Sequence, residues 1–299
     1  MRYIVTGGAG YIGSRLVRRL AKQNSVIVID EDIEKVGDLQ KNAVYIGCDV
    51  CDTEKIRKII KEYKPDGVFH LASYISVGES EERPTMYREN NVKSLLSIIN
   101  VMREFDIDKL VFSSSAAVYG GSVYGETKRA CERLLRERNI SGNIKSIALR
   151  YFNVVGADPD KRHLIPAIMD SIRTGREFEL FGDDYDTRDG TALRDYVHVD
   201  DIVRATEIAM IELQKGKIRN DVFDIGTGDG VSVKEIIEEV EEVTGKKVKV
   251  KYRPRRQGDV GKLVARPTIA KEVIGRKPEK TIREAIIEQV NNSSFQMVL

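Results

Sequence analysis

The sequence predicts an α/β fold: a doubly wound, parallel sheet followed by a smaller α+β domain. Three observations carry that expectation. Short, continuous apolar runs alternate with amphipathic helical patterns through the first half of the chain, as buried parallel strands and their crossover helices do. A glycine cluster, Gly7-Gly8-Ala9-Gly10, ends the first apolar run and opens the first helical pattern. After Gly156 the alternation stops, and a polar stretch rich in Gly and Asp follows, which marks loop and a change of architecture.

The elements follow in order. Residues 3–6 form the first strand, and Ile12, Leu16, Val17 and Leu20 line one face of the helix after it. Residues 26–29 are the second strand, closed by Asp30. Residues 44–46, 67–71, 110–112 and 147–150 read as further strands, with helices over 53–63, 91–105 and 124–138 between them. The run from Gly182 to Thr191 is loop. Residues 232–244 form an amphipathic helix with Val233, Ile236, Ile237, Val240 and Val243 inward, stopped by Gly245. Val248, Val250 and Tyr252 alternate as a strand. We expect a nucleotide-binding domain over 1–155 and a substrate domain over 156–299, with part of 193–230 returning to the first.

Composition narrows the function. Of 299 residues, 41% are hydrophobic and 32% charged, so the chain can offset its ordering entropy. Lys and Arg total 49 against 47 Asp and Glu, a net charge of +2. That balance lacks the basic field of a nucleic-acid protein. No apolar stretch approaches the roughly 18 residues that cross a bilayer, and Met1-Arg2 runs directly into a strand with no cleavable signal pattern. We expect a soluble, cytoplasmic protein with no nucleic-acid or membrane partner. Cys48 and Cys51 form one CxxC without a second pair, Cys131 stands alone, and His70, His163 and His198 are scattered. We therefore expect incidental thiols and no metal. Abundant charge without tryptophan is a bias of thermophile proteins.

Two constellations carry chemistry. Gly7-x-x-Gly10-x-x-Gly13 lies where a strand hands over to a helix. Glycines there allow a tight turn and close approach to a pyrophosphate, which the helix N-terminus attracts. Asp30 ends the second strand, twenty residues after Gly10, where a carboxylate takes adenosine ribose hydroxyls. Glu31 and Asp32 follow, and three carboxylates would repel a 2′-phosphate, so NAD is favoured over NADP. The second constellation is Ser113-Ser114-Ser115 after the fifth strand, with Tyr124 and Lys128 one helical turn apart. A tyrosinate at neutral pH needs a shift of about 3 units, or about 4 kcal/mol. A lysine ammonium and a positive nicotinamide ring stabilise that anion, and a serine hydroxyl orients an alcohol and shares its proton.

Thr6-Gly-Gly-Ala-Gly-Tyr-Ile-Gly-Ser14, Ser113-Ser-Ser-Ala-Ala-Val-Tyr-Gly120, Tyr124-x-x-x-Lys128 and Arg150-Tyr-Phe-Asn-Val-Val-Gly156 resemble the extended short-chain dehydrogenase/reductases, which carry a Rossmann sheet. The run Gly182-Asp-Asp-Tyr-Asp-Thr-Arg-Asp-Gly-Thr-Ala-Leu-Arg-Asp-Tyr-Val-His-Val199 is similar to the UDP-glucose 4-epimerase (UDP-galactose 4-epimerase) family among them. The resemblance implies a tightly held NAD, with Tyr124 taking the sugar 4-hydroxyl proton while hydride leaves C4 and returns to its other face. It implies that Lys128 lowers the Tyr124 pKa and that Ser115 is the catalytic serine. It assigns cofactor contacts to Gly7, Gly10, Tyr11, Ile12, Gly13, Asp30, Asp49, Val50, Leu71, Ala72, Ser73, Asn90, Ser113, Tyr124, Lys128 and Tyr151. It assigns the UDP-sugar to Ser115, Tyr124, Asn153, Leu164, Phe181, Arg194, Arg256, Asp259 and Leu263. It also implies a homodimer through the helices at 91–105 and 124–138.

The chain departs from that pattern in places. Only nine positions separate Ser115 from Tyr124, and the segment from Gly156 to His163 is short. Ile75 stands where a lysine is common, Ser73 where Gly or Ala is usual, and Ala117 where a threonine often supports the serine. Leu263 is intermediate in size at the position that gates the sugar 2-substituent, so acceptance of UDP-GlcNAc and UDP-GalNAc is expected in part. Ala116 and Ala117 lack the acid and carboxylate of a 4,6-dehydratase, and the acidic run from Asp30 to Asp32 opposes an NADP(H) reductase. A UDP-glucuronate epimerase or decarboxylase and a non-catalytic NAD sensor stay open.

Overall fold

β1 (Arg2–Thr6) is buried from Tyr3 onward, as a strand covered on both faces must be. The computed structural model describes residues 1–140, 144–157, 160–218, 220–256, 258–266, 270 and 278–292. From β1 the chain runs through α1 (Tyr11–Leu20), β2 (Ser25–Asp30), β3 (Ala43–Gly47), α2 (Thr53–Tyr63), β4 (Gly67–His70), α3 (Val77–Glu82), α4 (Pro84–Glu104), β5 (Lys109–Ser115), α5 (Val123–Ile140) and β6 (Lys145–Tyr151). It continues with β7 (Asn153–Val155), α6 (Leu164–Thr174), β8 (Phe178–Phe181), β9 (Leu193–His198), α7 (Val199–Gln214), β10 (Asn220–Ile225), β11 (Gly230–Ser232), α8 (Val233–Thr244), β12 (Val250–Arg253), β13 (Lys262–Leu263) and α9 (Ile282–Asn292).

One seven-stranded sheet has the order β10-β6-β5-β4-β1-β2-β3. The pairs from β3 across to β6 are parallel. From β1 the strand order runs outward to β2 and β3, then crosses back to β4 on the other side. The carboxyl ends of β1 and β4 therefore flank a crevice, the place where such sheets bind ligands. Register sets Thr6 opposite His70, His70 opposite Phe112, and Ser115 opposite Tyr151.

The chain forms two compact units, Met1–Tyr151 with Val203–Phe223, and Phe152–Ile202 with Asp224–Leu299. The first is built on Ile4, Ile27, Ile29, Ile56, Leu95, Ile98, Phe112 and Leu135. The second is built on Ile165, Ile168, Leu180, Tyr196, Ile236, Val240 and Ile286. In the second unit β9 pairs with β11 antiparallel and with β13 and β7 in parallel, while β8 and β12 form a separate parallel ladder. A Ser232–Glu235 capping box opens α8, and Gly245 closes it at φ +66.

Several boundaries differ from the sequence expectation, each for a physical reason. The serine run does not follow the fifth strand but completes it, because β6 continues alongside as far as Tyr151 and extends the ladder. The helix expected over 91–105 starts at Pro84, and its buried face includes Asn91, Ser94 and Ser97. Its first turns, 84–90, bury only Tyr87, which leaves no apolar period there to reveal them. The strand expected from Val248 begins at Val250, and Tyr252 is exposed on its two-stranded ladder.

Among the described residues, no helix is long and apolar enough to cross a membrane. In the second unit the potential ligand atoms of His198, Asp200 and Glu288 lie within 4.8 Å of one another. Lys280 stands 2.8 Å from the Asp200 carboxylate and 3.8 Å from that of Glu288, so an ammonium already neutralises this acidic pair. The Asp200 N–H donates to Nδ1 of His198 at 3.1 Å, which leaves the proton on Nε2 for Glu288, 2.8 Å away.

Candidate active site

At positions 7 and 13, on either side of the turn between β1 and α1, there is room only for glycine. A Cβ on Gly13 would stand 2.0 Å from the Gly7 carbonyl oxygen, and one on Gly7 would stand 2.7 Å from the Ala72 nitrogen. Gly7 also sits at φ +69, a conformation that suits glycine. Gly10 caps α1 without a side chain, and the first turn, with Tyr11, Ile12 and Gly13, holds no acidic residue. The positive end of the helix dipole thus meets no carboxylate of its own helix. Asp30 accepts from the Ala9 N–H at 2.9 Å and from the Asp32 N–H at 3.0 Å, which fixes its carboxylate at the lip of the turn. The Glu31 carboxyl is raised by burial and by Asp49, Asp32 and Asp30. A region already crowded with negative charge is hostile to a 2′-phosphate. Glycine cradle, uncapped helix start and the Asp30 carboxylate fit NAD.

The other residues expected at the cofactor all belong to the first unit. The Leu71 and Ala72 N–H groups donate to the carbonyl and hydroxyl of Thr6, at 3.1 and 3.3 Å. Asp49 accepts from the Cys51 N–H at 2.7 Å, and the Cys51 thiol lies 3.7 Å from the Asn90 carbonyl oxygen. Val50 is buried. Arg15 lies over the Tyr11 ring, 5.6 Å from its centroid. The Tyr151 hydroxyl is buried against Thr206 at 2.8 Å, so that oxygen is already partnered.

Ser115 ends β5, and a single 3-10 turn, Ala116–Tyr119, leads toward α5. This is how the short link closes. α5 packs so near the turn that a Cβ on Gly125 would stand 2.1 Å from the Ala117 carbonyl oxygen. Ser115 Oγ accepts from the Ala117 N–H at 3.2 Å and lies near enough to the Tyr124 hydroxyl to favour its ionised form. The Tyr124 N–H is held by Ser80 Oγ at 3.1 Å. Lys128 Nζ donates to Ser73 Oγ at 3.0 Å and to the Ser113 carbonyl at 2.8 Å. It lies 5.8 Å from the Tyr124 ring centroid. The expected Ser–Tyr–Lys group is therefore assembled within the first unit, and Ser73, a departure from the family's usual small residue, is a direct lysine partner.

The electrostatics modify the sequence expectation. Burial pushes the Tyr124 hydroxyl up to about 12, against the lowering effect of Ser115. Burial pushes Lys128 down to about 8. The lysine ammonium serves two oxygens of its own, and the cost of burying the tyrosinate dominates. Further positive charge beside Tyr124, such as an oxidised nicotinamide carries, favours its ionised form.

Two supporting groups escaped the sequence reading. His70 stacks on Phe112 at 5.9 Å and shares a 2.8 Å hydrogen bond with Thr6. Burial, and secondarily the Lys128 charge, pushes it down to about 3, so it is a neutral floor beneath the lysine. Glu132 accepts from Ser114 Oγ at 2.5 Å and from Arg150 Nε and Nη2 at 2.9 and 2.7 Å. This clamp ties β5, α5 and β6 together behind the serines. Its signal was available, since Glu132 stands four residues after Lys128 on one helix.

The second unit gathers another set. Arg194 on β9 donates to the carbonyl oxygens of Leu193 and Val260 at 3.0 and 2.9 Å, and to Asp259 at 3.4 Å. Leu263 on β13 is in register with Arg194. The Arg256 guanidinium lies 4.0 Å from the Phe181 ring centroid, a cation–π contact. Arg253 and Arg255, which spacing alone reads as a solvated basic turn, pair with Glu179 and Asp184 at 2.6 and 2.7 Å. Asn153 is exposed on β7 opposite Tyr196, and Leu164 opens α6 against the second core. Arg194, Asp259 and Leu263 are thus brought together, as are Phe181 and Arg256. Asn153 and Leu164 are placed on neighbouring elements.

Comparison with known proteins agrees with this geometry. Residues 3–226 match the model of the NAD dependent epimerase/dehydratase family. The chain is 41% identical to the UDP-glucose 4-epimerase of Lactobacillus helveticus over 93% of its own length and 92% of that protein's. Its fold superimposes on the UDP-glucose-4-epimerase of Stenotrophomonas maltophila, solved with bound NAD and formylated UDP-arabinopyranose, with a TM-score of 0.91 and 32% identity over 97% of each chain. It superimposes on the UDP-glucose 4-epimerase of Thermotoga maritima, solved with UDP-glucose, with a TM-score of 0.89 and 32% identity over 98% of each chain. The glycine cradle, the Ser–Tyr–Lys group and a match that spans three quarters of the chain place this protein in the NAD dependent epimerase/dehydratase family.

Proposed function

We propose that this protein is an NAD-dependent UDP-glucose 4-epimerase, interconverting UDP-galactose and UDP-glucose by transient oxidation at sugar C4. The observation that carries the reading is the Tyr124 hydroxyl, buried beside Ser115, with Lys128 one turn away. When bound, NAD supplies a hydride acceptor and donor at C4. Gly7, Gly10 and Gly13 hold its pyrophosphate, and Asp30 its adenosine ribose. Tyr124 takes the 4-hydroxyl proton and later returns it, and Ser115 orients that hydroxyl. Lys128 keeps a positive charge beside the nicotinamide ribose and fixes the end of β5 through the Ser113 carbonyl. In the second unit Arg194 and Arg256 take the diphosphate and Asp259 the uridine ribose, since guanidinium groups match phosphate oxygens by paired hydrogen bonds.

The test is turnover. Purified protein converts UDP-galactose to UDP-glucose with no cofactor added, because retained NAD is regenerated in each cycle. Leu263, beside Arg194 in the β13 register, leads us to expect slower conversion of UDP-GlcNAc in a parallel assay. No conversion of UDP-galactose, with or without added NAD, overturns the proposal.

A further inference from the structure

The Tyr185 hydroxyl is buried and has no hydrogen-bond partner among the described residues. Native structures rarely leave a buried polar atom so, and each exception asks for a physical account. Tyr185 is only 6% exposed, and its position is enforced from several sides. A Cβ on Gly182 would stand 2.5 Å from its Cε2, and one on Gly261 would stand 3.1 Å from its Cδ1. The Arg255 guanidinium covers one ring face at 4.3 Å and is itself held by Asp184 at 2.7 Å. The main chain is tied as well, with the Tyr185 N–H donating to the Gly190 carbonyl at 2.9 Å. The ring is therefore packed on several sides.

The surroundings hold a charged pair. Gly261, which packs on the Cβ and Cδ1 side of the ring, accepts from the Leu193 N–H at 2.8 Å, next to Arg194. Asp259 lies two residues before it on the same segment. Arg194 and Asp259 are 3.4 Å apart, a loose ion pair that a competing anion can part. Both act electrostatically on the Tyr185 hydroxyl, and burial together with Asp259 raises it above its ordinary value, so at neutral pH it keeps its proton and can donate. The other buried orphan among the described residues, Ser97 Oγ, lies on a core-facing position of α4 and faces no such pair.

We propose that the Tyr185 hydroxyl donates a hydrogen bond to the diphosphate of the bound nucleotide, which reaches it by parting Arg194 from Asp259. The inference rests on the proposed function and adds a binding residue to it.

The experiment is calorimetric titration of UDP into the wild-type protein and into Tyr185→Phe, with thermal melts of both without ligand. A hydrogen bond to a charged oxygen is among the stronger ones, so UDP binding should weaken roughly tenfold in the variant. The KM for UDP-galactose should rise by a similar factor with kcat nearly unchanged, the signature of lost uniform binding. The melting midpoint of the ligand-free variant should hold or rise, since no internal bond is lost. UDP affinity unchanged in the variant, or a clearly lower midpoint, overturns the inference, the latter by showing that the hydroxyl serves the fold. A wild-type protein that binds no UDP overturns the proposed function itself, and this inference with it.

Discussion

Tyr124→Phe lowers kcat for UDP-galactose by about a thousandfold, within the range of a lost general acid–base group. The substitution removes one oxygen and keeps the ring. Its main-chain bond to Ser80 at 3.1 Å is unaffected, and the variant sheds a hydroxyl whose deprotonation burial opposes. Folding, cofactor retention and UDP affinity should therefore persist while turnover falls. A coupled assay with a parallel thermal melt reads both quantities. Activity within about tenfold of wild type would place the proton acceptor elsewhere. No turnover in either protein, with NAD binding retained in both, would instead revive a non-catalytic NAD sensor, to which this hydroxyl is indifferent.

Gly13→Ala is expected to be the most damaging small substitution in the cofactor half of the site. The added methyl would stand 2.0 Å from the Gly7 carbonyl oxygen and 2.8 Å from the Gly8 Cα. Both are backbone atoms, so the turn and the start of α1 must separate. Overpacking of this kind costs about 1–3 kcal/mol of stability, and the distortion falls on the groups that would meet the pyrophosphate. We expect a lowered melting midpoint and NAD affinity weaker by roughly a hundredfold, equivalent to about 2.8 kcal/mol. Purification with wild-type levels of bound NAD and an unchanged midpoint would show that this turn does not hold the cofactor.

The parts of the fold that were legible in the sequence are those with one dominant cause. β1, β2 and β4 are continuous apolar runs buried on both faces, and such runs have few other stable places. Tyr124 and Lys128 were legible because helical spacing alone puts them on one face. The first turns of α4 were hidden because Tyr87 is their one buried residue, too few for a hydrophobic period. The Ser114–Glu132–Arg150 clamp joins residues from three elements, and only the β5–β6 register brings them together. The opposition between Tyr124 and its burial was equally hidden, since desolvation depends on everything packed around the hydroxyl. In the second unit Arg194, Phe181, Arg256 and Asp259 were named from family resemblance, not from any period in the sequence. Tyr185 was missed there because it belongs to a polar loop whose composition announces solvent, whereas two glycines and Arg255 close over its ring.

The central claim is that hydrogen leaves C4 and returns to the same carbon, with Tyr124 handling only the hydroxyl proton. It is tested most directly with UDP-galactose carrying deuterium at C4, incubated with the purified protein in ordinary water and examined by mass spectrometry and NMR. The account predicts UDP-glucose that keeps its deuterium at C4, formed more slowly than from the unlabelled sugar. UDP-glucose that has lost the label to solvent would contradict it.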